Sequence, residues 1–334
     1  MRPCKMGANT RWFKFYDAFF SIPVIFMGTQ VLTEQESRVR WGVKRRLEFI
    51  DFRLFWDGRF NRKDLSETFG ISAQQASSDI SQYERQAPGN LSYDKHEKAY
   101  VRASGYRPVL IRDSVERYLL QLVAVEHRWM RAEETWFDRP PPCEIVHLER
   151  RRTNPDVLLN IVDAIRLKCQ LEIEYASITG SPELPRVIAP HAIVHSAGRW
   201  YARAWARHHN DFRDYNLDRI LSVSALAPTK VDPTLDFQWI HQINLEITPN
   251  PELAPERQAA IAAEYNMQVG LLEMPCRLST AFYMMSANNL DVEPGRLAPE
   301  KQQLVLRNRA AVEAARVAAR EMSVQALKRA VEPE

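Results

Sequence analysis

The chain has 334 residues, 45% of them hydrophobic and 26% charged, and a net charge of +3. Its length exceeds one average hydrophobic core, so two or three domains are expected, and its ordinary composition excludes a disordered or histone-like chain. Residues 38–107 hold 14 basic against 9 acidic side chains, a larger net positive charge than the whole chain carries. This excess suits an anionic partner, although charge alone is also typical of a solvated face.

Residues 1–35 match no domain pattern. They contain the apolar run FFSIPVIFMG, preceded by basic residues as in a secretory signal, but Pro23 interrupts it and no small-residue cleavage site follows. The run is also too short to span a bilayer. We interpret this segment as an uncertain extension, with Met27 as the alternative start and residues 1–26 as an over-extended reading frame.

Residues 36–107 alternate short helical patterns with a small strand pair. An amphipathic first helix is followed by a short second helix that Asn61 caps and Gly70 ends. Ser72, with Gln75 three residues later, predicts a capping box that opens a third helix. A helix, a short turn containing glycine and a second helix are typical of a helix-turn-helix motif.

The third helix has one apolar stripe and one polar face. Ala76, Ile80 and Tyr83 recur at spacings of four and three, which predicts that this stripe is buried. Amides and hydroxyls dominate the opposite face, and such side chains can hydrogen-bond base edges in the major groove of DNA. The predicted DNA-binding residues of this helix are Gln74, Gln75, Ser77, Ser78, Gln82 and Arg85.

The stretch NLSYDKHEKAYVRA then predicts strand, turn and strand, which is the wing of a winged helix-turn-helix. At its tip Lys95, His96 and Lys98 are placed to contact phosphate or the minor groove. The alternative is a three-helix packing module with a polar surface. The caps, turn, polar face, wing and local charge together favour double-stranded DNA as the partner.

Residues 108–167 predict a helical linker, interrupted at DRPPPCE because consecutive prolines cannot continue a helix. Residues 168–232 change to the alternating pattern of strands. Residues 240–334 combine a helical run at 255–265, a strand at about 271–285 and a final helix from 309 to 329. The apolar stripe of that last helix predicts a dimerisation helix, with a packed terminal helix as the alternative.

The strand pattern GRWYARAW puts arginines and aromatic rings on one face. With a period of two, Arg199, Tyr201, Arg203 and Trp205 share that face. Guanidinium groups bind phosphate and rings stack on bases, so the face suits a nucleotide. The alternative is a stable barrel whose arginines extend their charged ends to water.

At this point the sequence resembles the bacterial WYL-domain transcription regulators, in particular the winged-helix–WYL–WCX repressors associated with BREX and CBASS phage-defence systems. The motifs that carry the resemblance are IEYASI, APHAIV, GRWYARAW and FRDYNLDRI, in matching order and spacing. QQASSDISQYE, NLSYD and ELAPERQAAIAAEYNM are also similar to that group. The resemblance covers residues 38–290.

The resemblance implies an α+β multidomain protein: an N-terminal winged helix-turn-helix, a central SH3-like or Sm-like β-barrel (the WYL domain) and a C-terminal α/β WCX dimerisation domain. It also implies a polar WYL pocket that senses a nucleotide or a short nucleic acid. Carried over residue by residue, the ligand-binding set is Tyr175, Ser177, His191, Arg203 and Arg213, with Arg199 and Arg219 as weaker members. One departure is Ala202, which stands at the third letter of the W-Y-L motif.

Strand parity places Arg213 beside apolar positions, where an unpaired charge would be costly. It therefore either pairs with Asp214 or Asp218 or binds an anionic ligand.

No pattern for catalysis or metal binding is expected to be functional. His191 and His195 are four apart but lie in a strand-like segment without a completing thiol or carboxylate. Cys4, Cys143, Cys169 and Cys276 are dispersed, so neither a zinc site nor a disulfide framework is indicated. With no Gly-rich phosphate loop or nucleophile motif, we expect neither an enzyme nor a resident cofactor.

Together these features predict a cytoplasmic, nucleoid-associated bacterial homodimer. It would repress a phage-defence operon by binding an inverted-repeat operator, and it would respond to a nucleotide or oligonucleotide effector. The alternative function is a single-strand nucleic-acid-binding accessory protein that uses the arginine and aromatic face of the barrel.

Overall fold

The computed structural model describes residues 34–111, 115–146, 151–178 and 185–331. The chain forms two compact units, residues 1–147 and 148–334, which divide within the predicted linker. All but the last two residues of the predicted N-terminal extension, Met27 included, lie outside the described residues. Within the described part of the chain, no helix is long and apolar enough to cross a membrane.

The first unit is a winged helix-turn-helix. Its elements are α1 (Glu34–Trp56), β1 (Arg59–Phe60), α2 (Arg62–Phe69), α3 (Ala73–Gln86), β2 (Leu91–Asp94), β3 (Ala99–Arg102) and α4 (Val115–Glu126). The three strands form an antiparallel sheet in the order β1-β3-β2. Phe49, Ile50, Leu65, Ile80 and Tyr83 fill a core between the first three helices, as the apolar spacings predict.

The second unit begins with α5 (Pro155–Leu167) and one five-stranded sheet. The strands are β4 (Cys169–Tyr175), β5 (Arg186–Ser196), β6 (Arg199–Ala206), β7 (Asp211–Asn216) and β8 (Ile220–Pro228). All pairings are antiparallel in the order β7-β6-β5-β4-β8. Among the described residues β7 and β8 are not paired with each other, so the sheet is open where a closed barrel was expected.

The remainder of this unit packs helices against a three-stranded sheet. Its elements are α6 (Phe237–Ile240), β9 (Gln242–Pro249), α7 (Pro255–Glu264), β10 (Leu272–Arg277), α8 (Leu278–Ala287), β11 (Leu304–Leu306) and α9 (Arg309–Val331). The sheet order is β10-β9-β11. The predicted strand at 271–285 is wrong beyond residue 277. Leu278, Ala281 and Met285 are buried at spacings of three and four, which is the periodicity of a helix.

Helix α9 uses its apolar stripe within its own unit. Val312, Ala319 and Leu327 are buried, and Leu327 packs with Trp205 and Phe212 on the five-stranded sheet. The structure therefore favours the packed terminal helix over the predicted dimerisation helix. One face of the five-stranded sheet packs on α5, and α9 packs against the other.

Candidate DNA-binding surface and ligand site

Local hydrogen bonds define both ends of the turn before α3. Asn61 caps α2, as predicted, and exchanges hydrogen bonds with Asp64 in a capping box. Gly70 ends α2 with φ of +62°, a conformation that glycine adopts without strain. Ser72 then caps α3 by accepting a hydrogen bond from the backbone N–H of Gln75 at 3.1 Å. These contacts position the start of α3 independently of any ligand.

The side chain of Gln75 departs from the predicted capping box. Its amide nitrogen donates to Asp79 Oδ1 at 3.0 Å instead of returning to the backbone of Ser72. Asp79 is buried and also accepts from Arg46 Nε at 2.6 Å, which ties α3 to α1. The Asp79 carboxylate lies one helical turn from Gln75. As a charged group, it is a stronger hydrogen-bond acceptor than the neutral backbone at the start of the helix.

A second anchor of α3 is the fully buried carboxylate of Asp51 on α1. Its Oδ1 accepts from the hydroxyls of Tyr83 at 2.5 Å and Tyr106 at 2.8 Å. Its Oδ2 accepts three backbone N–H groups, those of residues 109, 110 and 111, at 2.7–3.0 Å. Burial, and then the neighbouring carboxylate, raise the pKa of both tyrosines, so the hydroxyls act as neutral donors.

The structure places the predicted DNA-binding residues on one side of α3 and at the wing tip. Those exposed are Gln74, Gln75, Ser78, Arg85, Lys95, His96 and Lys98. Ser77 and Gln82 are half-buried. The wing turn is closed by Asp94, whose carboxylate accepts the backbone N–H groups of residues 96 and 97.

Arg62 is a candidate that the sequence pattern did not single out. It is the first residue of α2, it is exposed, and its guanidinium donates to Ser77 Oγ at 3.2 Å. A cation at the start of the first helix of the motif is suited to a phosphate beside the major groove. Its position directly after Asn61, the predicted cap of α2, could have indicated this role from the sequence.

In the second unit the predicted ligand residues separate onto the two faces of the five-stranded sheet. Ala204 pairs with Arg213 and Arg203 pairs with Asp214 in the β6–β7 register. Because neighbouring residues of a strand point to opposite faces, Arg203 and Arg213 lie on different sides of the sheet. The predicted set is therefore not one contiguous pocket.

Arg203 belongs to a buried ion-pair cluster. It is 4% exposed and donates to Asp236 through Nε at 2.8 Å and Nη2 at 2.9 Å, with a longer contact of 3.4 Å to Asp214. His191 Nε2 lies 3.0 Å from the same Asp236 carboxylate. Tyr283 of α8 donates to Asp214 at 3.0 Å. We call these five residues the Arg203 cluster. Its two carboxylates, Asp214 and Asp236, both lie outside β6, the strand that carries Arg203.

The two carboxylates of the Arg203 cluster respond differently to burial. Burial raises the pKa of Asp214 despite the charge of Arg203. Burial acts in the same direction on Asp236, but hydrogen bonds from His191 and Arg203 outweigh it, so the pKa of Asp236 is lowered. Burial would lower the pKa of Arg203, and the bonds to Asp236 and the charges of both carboxylates raise it instead. Asp236 is therefore the principal counter-ion.

Arg213 lies on the other face, beside two tyrosine rings. The rings of Tyr175 and Tyr215 meet edge to face at 5.1 Å, and Arg186 lies over the ring of Tyr175 at 5.4 Å. The carboxylate nearest Arg213 is Asp211, with Arg213 Nε 3.9 Å from Asp211 Oδ2, rather than the expected Asp214 or Asp218. The N–H of Arg213 Nε donates to no acceptor among the described residues, so this buried atom is without a hydrogen bond.

Positive charge concentrates at this end of the sheet. Burial, followed by the charges of Arg213, His208 and Arg186, lowers the pKa of His209. We call Tyr175, Arg186, Arg213 and Tyr215 the Arg213 site. Arg186 was not predicted as a ligand-binding residue. The stretch PRVIAP does not indicate such a role, because the ring that Arg186 contacts, Tyr175, is eleven residues away in sequence.

The other predicted ligand residues lie at the edges of the sheet. Ser177 is half-buried after the end of β4, Arg199 is half-buried at the start of β6, and Arg219 is half-buried in the turn before β8. On the predicted arginine and aromatic face, Arg203 and Trp205 are buried. The described residues contain no group of three metal-ligating side chains.

Three family models match the chain. They are the BrxR transcriptional regulator winged helix-turn-helix domain over residues 42–124, the WYL domain over residues 156–225, and the BrxR transcriptional regulator C-terminal dimerization domain over residues 242–312. Each model coincides with one of the folded regions described above.

Three relatives match over most of their length, and each is a DNA-binding transcriptional repressor CapW. The Pseudomonas aeruginosa protein is 35% identical over 280 residues, which is 84% of this chain and 94% of that protein. The Stenotrophomonas maltophilia protein is 33% identical over 273 residues, 81% of this chain and 91% of that protein. The protein of Escherichia coli strain KTE188 is 34% identical over 270 residues, 81% and 90% of the two chains.

A winged helix, a WYL domain and a dimerization domain in this order define a WYL-domain transcription regulator. More narrowly, the chain belongs to the BrxR and CapW family. The predicted family and the predicted α+β three-part architecture are both confirmed.

Proposed function

We propose that this protein is a homodimeric repressor that binds an inverted-repeat operator through α3 and the wing, and that controls a phage-defence operon from the bacterial nucleoid. The observation that carries this proposal is the arrangement of α3. Its apolar face is anchored by Asp51 and Asp79, while Gln74, Gln75 and Ser78 are exposed on the other side. A rigid helix with exposed amides and hydroxyls is suited to reading base edges in a major groove.

The experiment for this proposal is a footprint of the purified protein on the DNA upstream of its own gene. A protected inverted repeat, with binding that weakens steeply as salt concentration rises, is expected because phosphate contacts release counter-ions. Equal affinity for duplexes of unrelated sequence would refute an operator-specific function.

We further propose that an anionic effector, a nucleotide or an oligonucleotide, binds at the Arg213 site and changes operator affinity. Support comes from two guanidinium groups beside two tyrosine rings, and from the buried Arg213 Nε that lacks a hydrogen bond. Arg203 and His191 are placed to support the sheet rather than to contact the effector, because their nitrogens face Asp236 and Asp214.

This second proposal is tested by measuring the affinity of the protein for two probes, a ten-nucleotide oligothymidylate and a nucleoside triphosphate. Replacing Arg213 with Gln is expected to weaken binding of the responsive probe by at least about tenfold, since a charge-assisted phosphate contact is lost. Arg166→Gln is the control, because Arg166 is an exposed cation of α5. Equal affinity of the two variants would place the effector elsewhere.

The alternative function, binding of single-stranded nucleic acid by the arginine and aromatic face, is less well supported. Two of the four side chains of that face, Arg203 and Trp205, are buried under the C-terminal helices. Comparing duplex and single-stranded affinity at matched salt distinguishes the two functions.

A further inference from the structure

The turn between α7 and β10 holds an apolar side chain in solvent. Val269 has a relative exposure of 106% and a φ of +51°. A left-handed backbone is strained for a β-branched residue, and its exposed isopropyl group gains nothing from the fold. The turn is nevertheless closed, because residues 268 and 271 exchange two backbone hydrogen bonds of 3.0 Å. Strain of this kind persists where it serves a function.

An apolar groove lies directly beside Val269. Its apolar lining comes from Ala259 and Ala262 of α7, Pro249 of β9 and Val305 of β11. The polar residues Thr248, Gln258 and Arg307 also line it. The small side chains on α7 leave the groove open, with a volume of about 620 Å³.

We propose that Val269 and this groove form the contact by which two copies of the chain dimerise, with Val269 of each copy entering the groove of the other. The proposal rests on the proposed dimerisation, which the matched dimerization domain supports. It adds the surface through which the two copies meet. Val269 and the groove both lie within the matched residues 242–312. The stripe residues Val312, Ala319 and Leu327 of α9 are buried within their own unit, and the exposed apolar side chains of α9, Val317 and Met322, lie outside the matched residues.

The geometry suits a two-fold axis. In an isologous dimer the same patch serves both copies, so a projecting group and its receiving groove must lie next to each other on one surface. Val269 lines the rim of the groove and meets this requirement. Two reciprocal contacts then form around one axis, and the assembly closes as a dimer instead of extending as a filament.

The decisive variant is Val269→Asn, studied in the full chain without DNA. Asparagine tolerates a left-handed backbone better than valine, so the fold should be retained or stabilised while the apolar contact is lost. Sedimentation equilibrium is expected to show a dimer dissociation constant raised at least about tenfold. Val317→Asn is the matched control, because Val317 is also an exposed valine but lies on α9, away from the groove.

If Val269→Asn and Val317→Asn dimerise with equal affinity, the proposed contact is wrong. A second measurement mixes a tagged Val269→Cys chain with an untagged Ala259→Cys chain under mild oxidation. A disulfide between tagged and untagged chains is expected, and its absence from a dimeric mixture would also overturn the proposal. Neither measurement involves operator DNA, so each is independent of whether the proposed repressor function is correct.

Discussion

Asp51 is a single buried carboxylate whose two oxygens accept five hydrogen bonds, one from α3 and four from the segment that follows the wing. An ionised carboxylate can serve as acceptor in every one of these bonds, whereas an asparagine amide nitrogen can only donate. The identity of this residue therefore couples α1, α3 and the segment that follows the wing.

Asp51→Asn is expected to lower the free energy of unfolding by about 3 kcal/mol or more, because at least two buried donors lose their acceptor. Urea denaturation at pH 7 measures the effect. The matched control is Glu67→Gln, the same chemical change on an exposed side chain of α2, for which a change below about 0.5 kcal/mol is expected. A similar small change for both variants would contradict the role assigned to Asp51.

A second prediction at the scale of residues compares the two carboxylates of the Arg203 cluster. The pKa of Asp236 is lowered in the folded state, so its ionisation stabilises the fold above the ordinary pKa, and this stabilisation is lost as the pH falls through the lowered value. The pKa of Asp214 is raised, so its ionisation opposes folding at neutral pH.

Asp236→Asn should therefore destabilise the protein by about 3 kcal/mol at pH 7, in the range for breaking a buried ion pair, and Asp214→Asn by less than about 1 kcal/mol. The deficit of Asp236→Asn should shrink below about pH 4, because the carboxyl of the unfolded wild-type chain then takes up a proton, whereas the folded carboxyl, with its lowered pKa, does so only at lower pH. Unfolding curves at pH 7 and pH 3.5 test both statements. A larger loss for Asp214→Asn would reverse the assignment of the principal counter-ion.

At the scale of elements, α3 combines an anchored face with an exposed one. Replacing Gln74 and Gln75 together with alanine removes the side chains that we propose contact bases. The apolar stripe stays intact, and buried Asp79 loses the bond from Gln75 but keeps its ion pair with Arg46. Operator affinity should fall by at least about tenfold in a gel-shift titration, while the unfolding midpoint changes little. Thr68→Ala, an exposed neutral change on α2, is the control; equal binding by the two variants would refute the recognition-helix assignment.

Elements with local signals were predictable from the sequence, and those with distant partners were not. Asn61, Gly70 and Ser72 act on backbone groups within four residues, so the bounds of α2 and α3 follow from the order of the residues. The apolar run that forms α8 predicts a strand, because a short apolar run fits the two-residue period of a strand as well as the 3.6-residue period of a helix.

The candidate sites show the same division. The exposed side of α3 was predictable from its helical period. The separation of Arg203 from Arg213 was not predicted, because it depends on the register between β6 and β7, and the two residues were expected in one pocket. That the face bearing Arg203 is covered could not be foreseen, since Asp236 and Leu327 reach it from 33 and more than 100 residues away. Asp51 was likewise undetectable as an anchor, because its partners lie 32 to 60 residues distant.

At the scale of the whole molecule, the proposed dimer presents two recognition helices to one face of the DNA. Half-sites should then be separated by about one helical turn, or a multiple of it. Inserting five base pairs between the half-sites should abolish high-affinity binding, and inserting ten should restore much of it. Footprints of the three operators test this expectation, and indifference to a five-base-pair insertion would mean that the two helices bind independently.

The bond between Gln75 and Asp79 restricts the code that the recognition helix can read. Because one N–H of its amide is donated to Asp79, the orientation of Gln75 is fixed, and its carbonyl oxygen and second N–H remain for a base edge. Adenine offers the complementary pair, the N6 amino donor and the N7 acceptor, whereas guanine offers the two acceptors O6 and N7, which repel the carbonyl oxygen. Selection from randomised operators should therefore favour adenine over guanine at the base that Gln75 is proposed to meet, and this preference should weaken when Asp79 is replaced and the amide is released to turn.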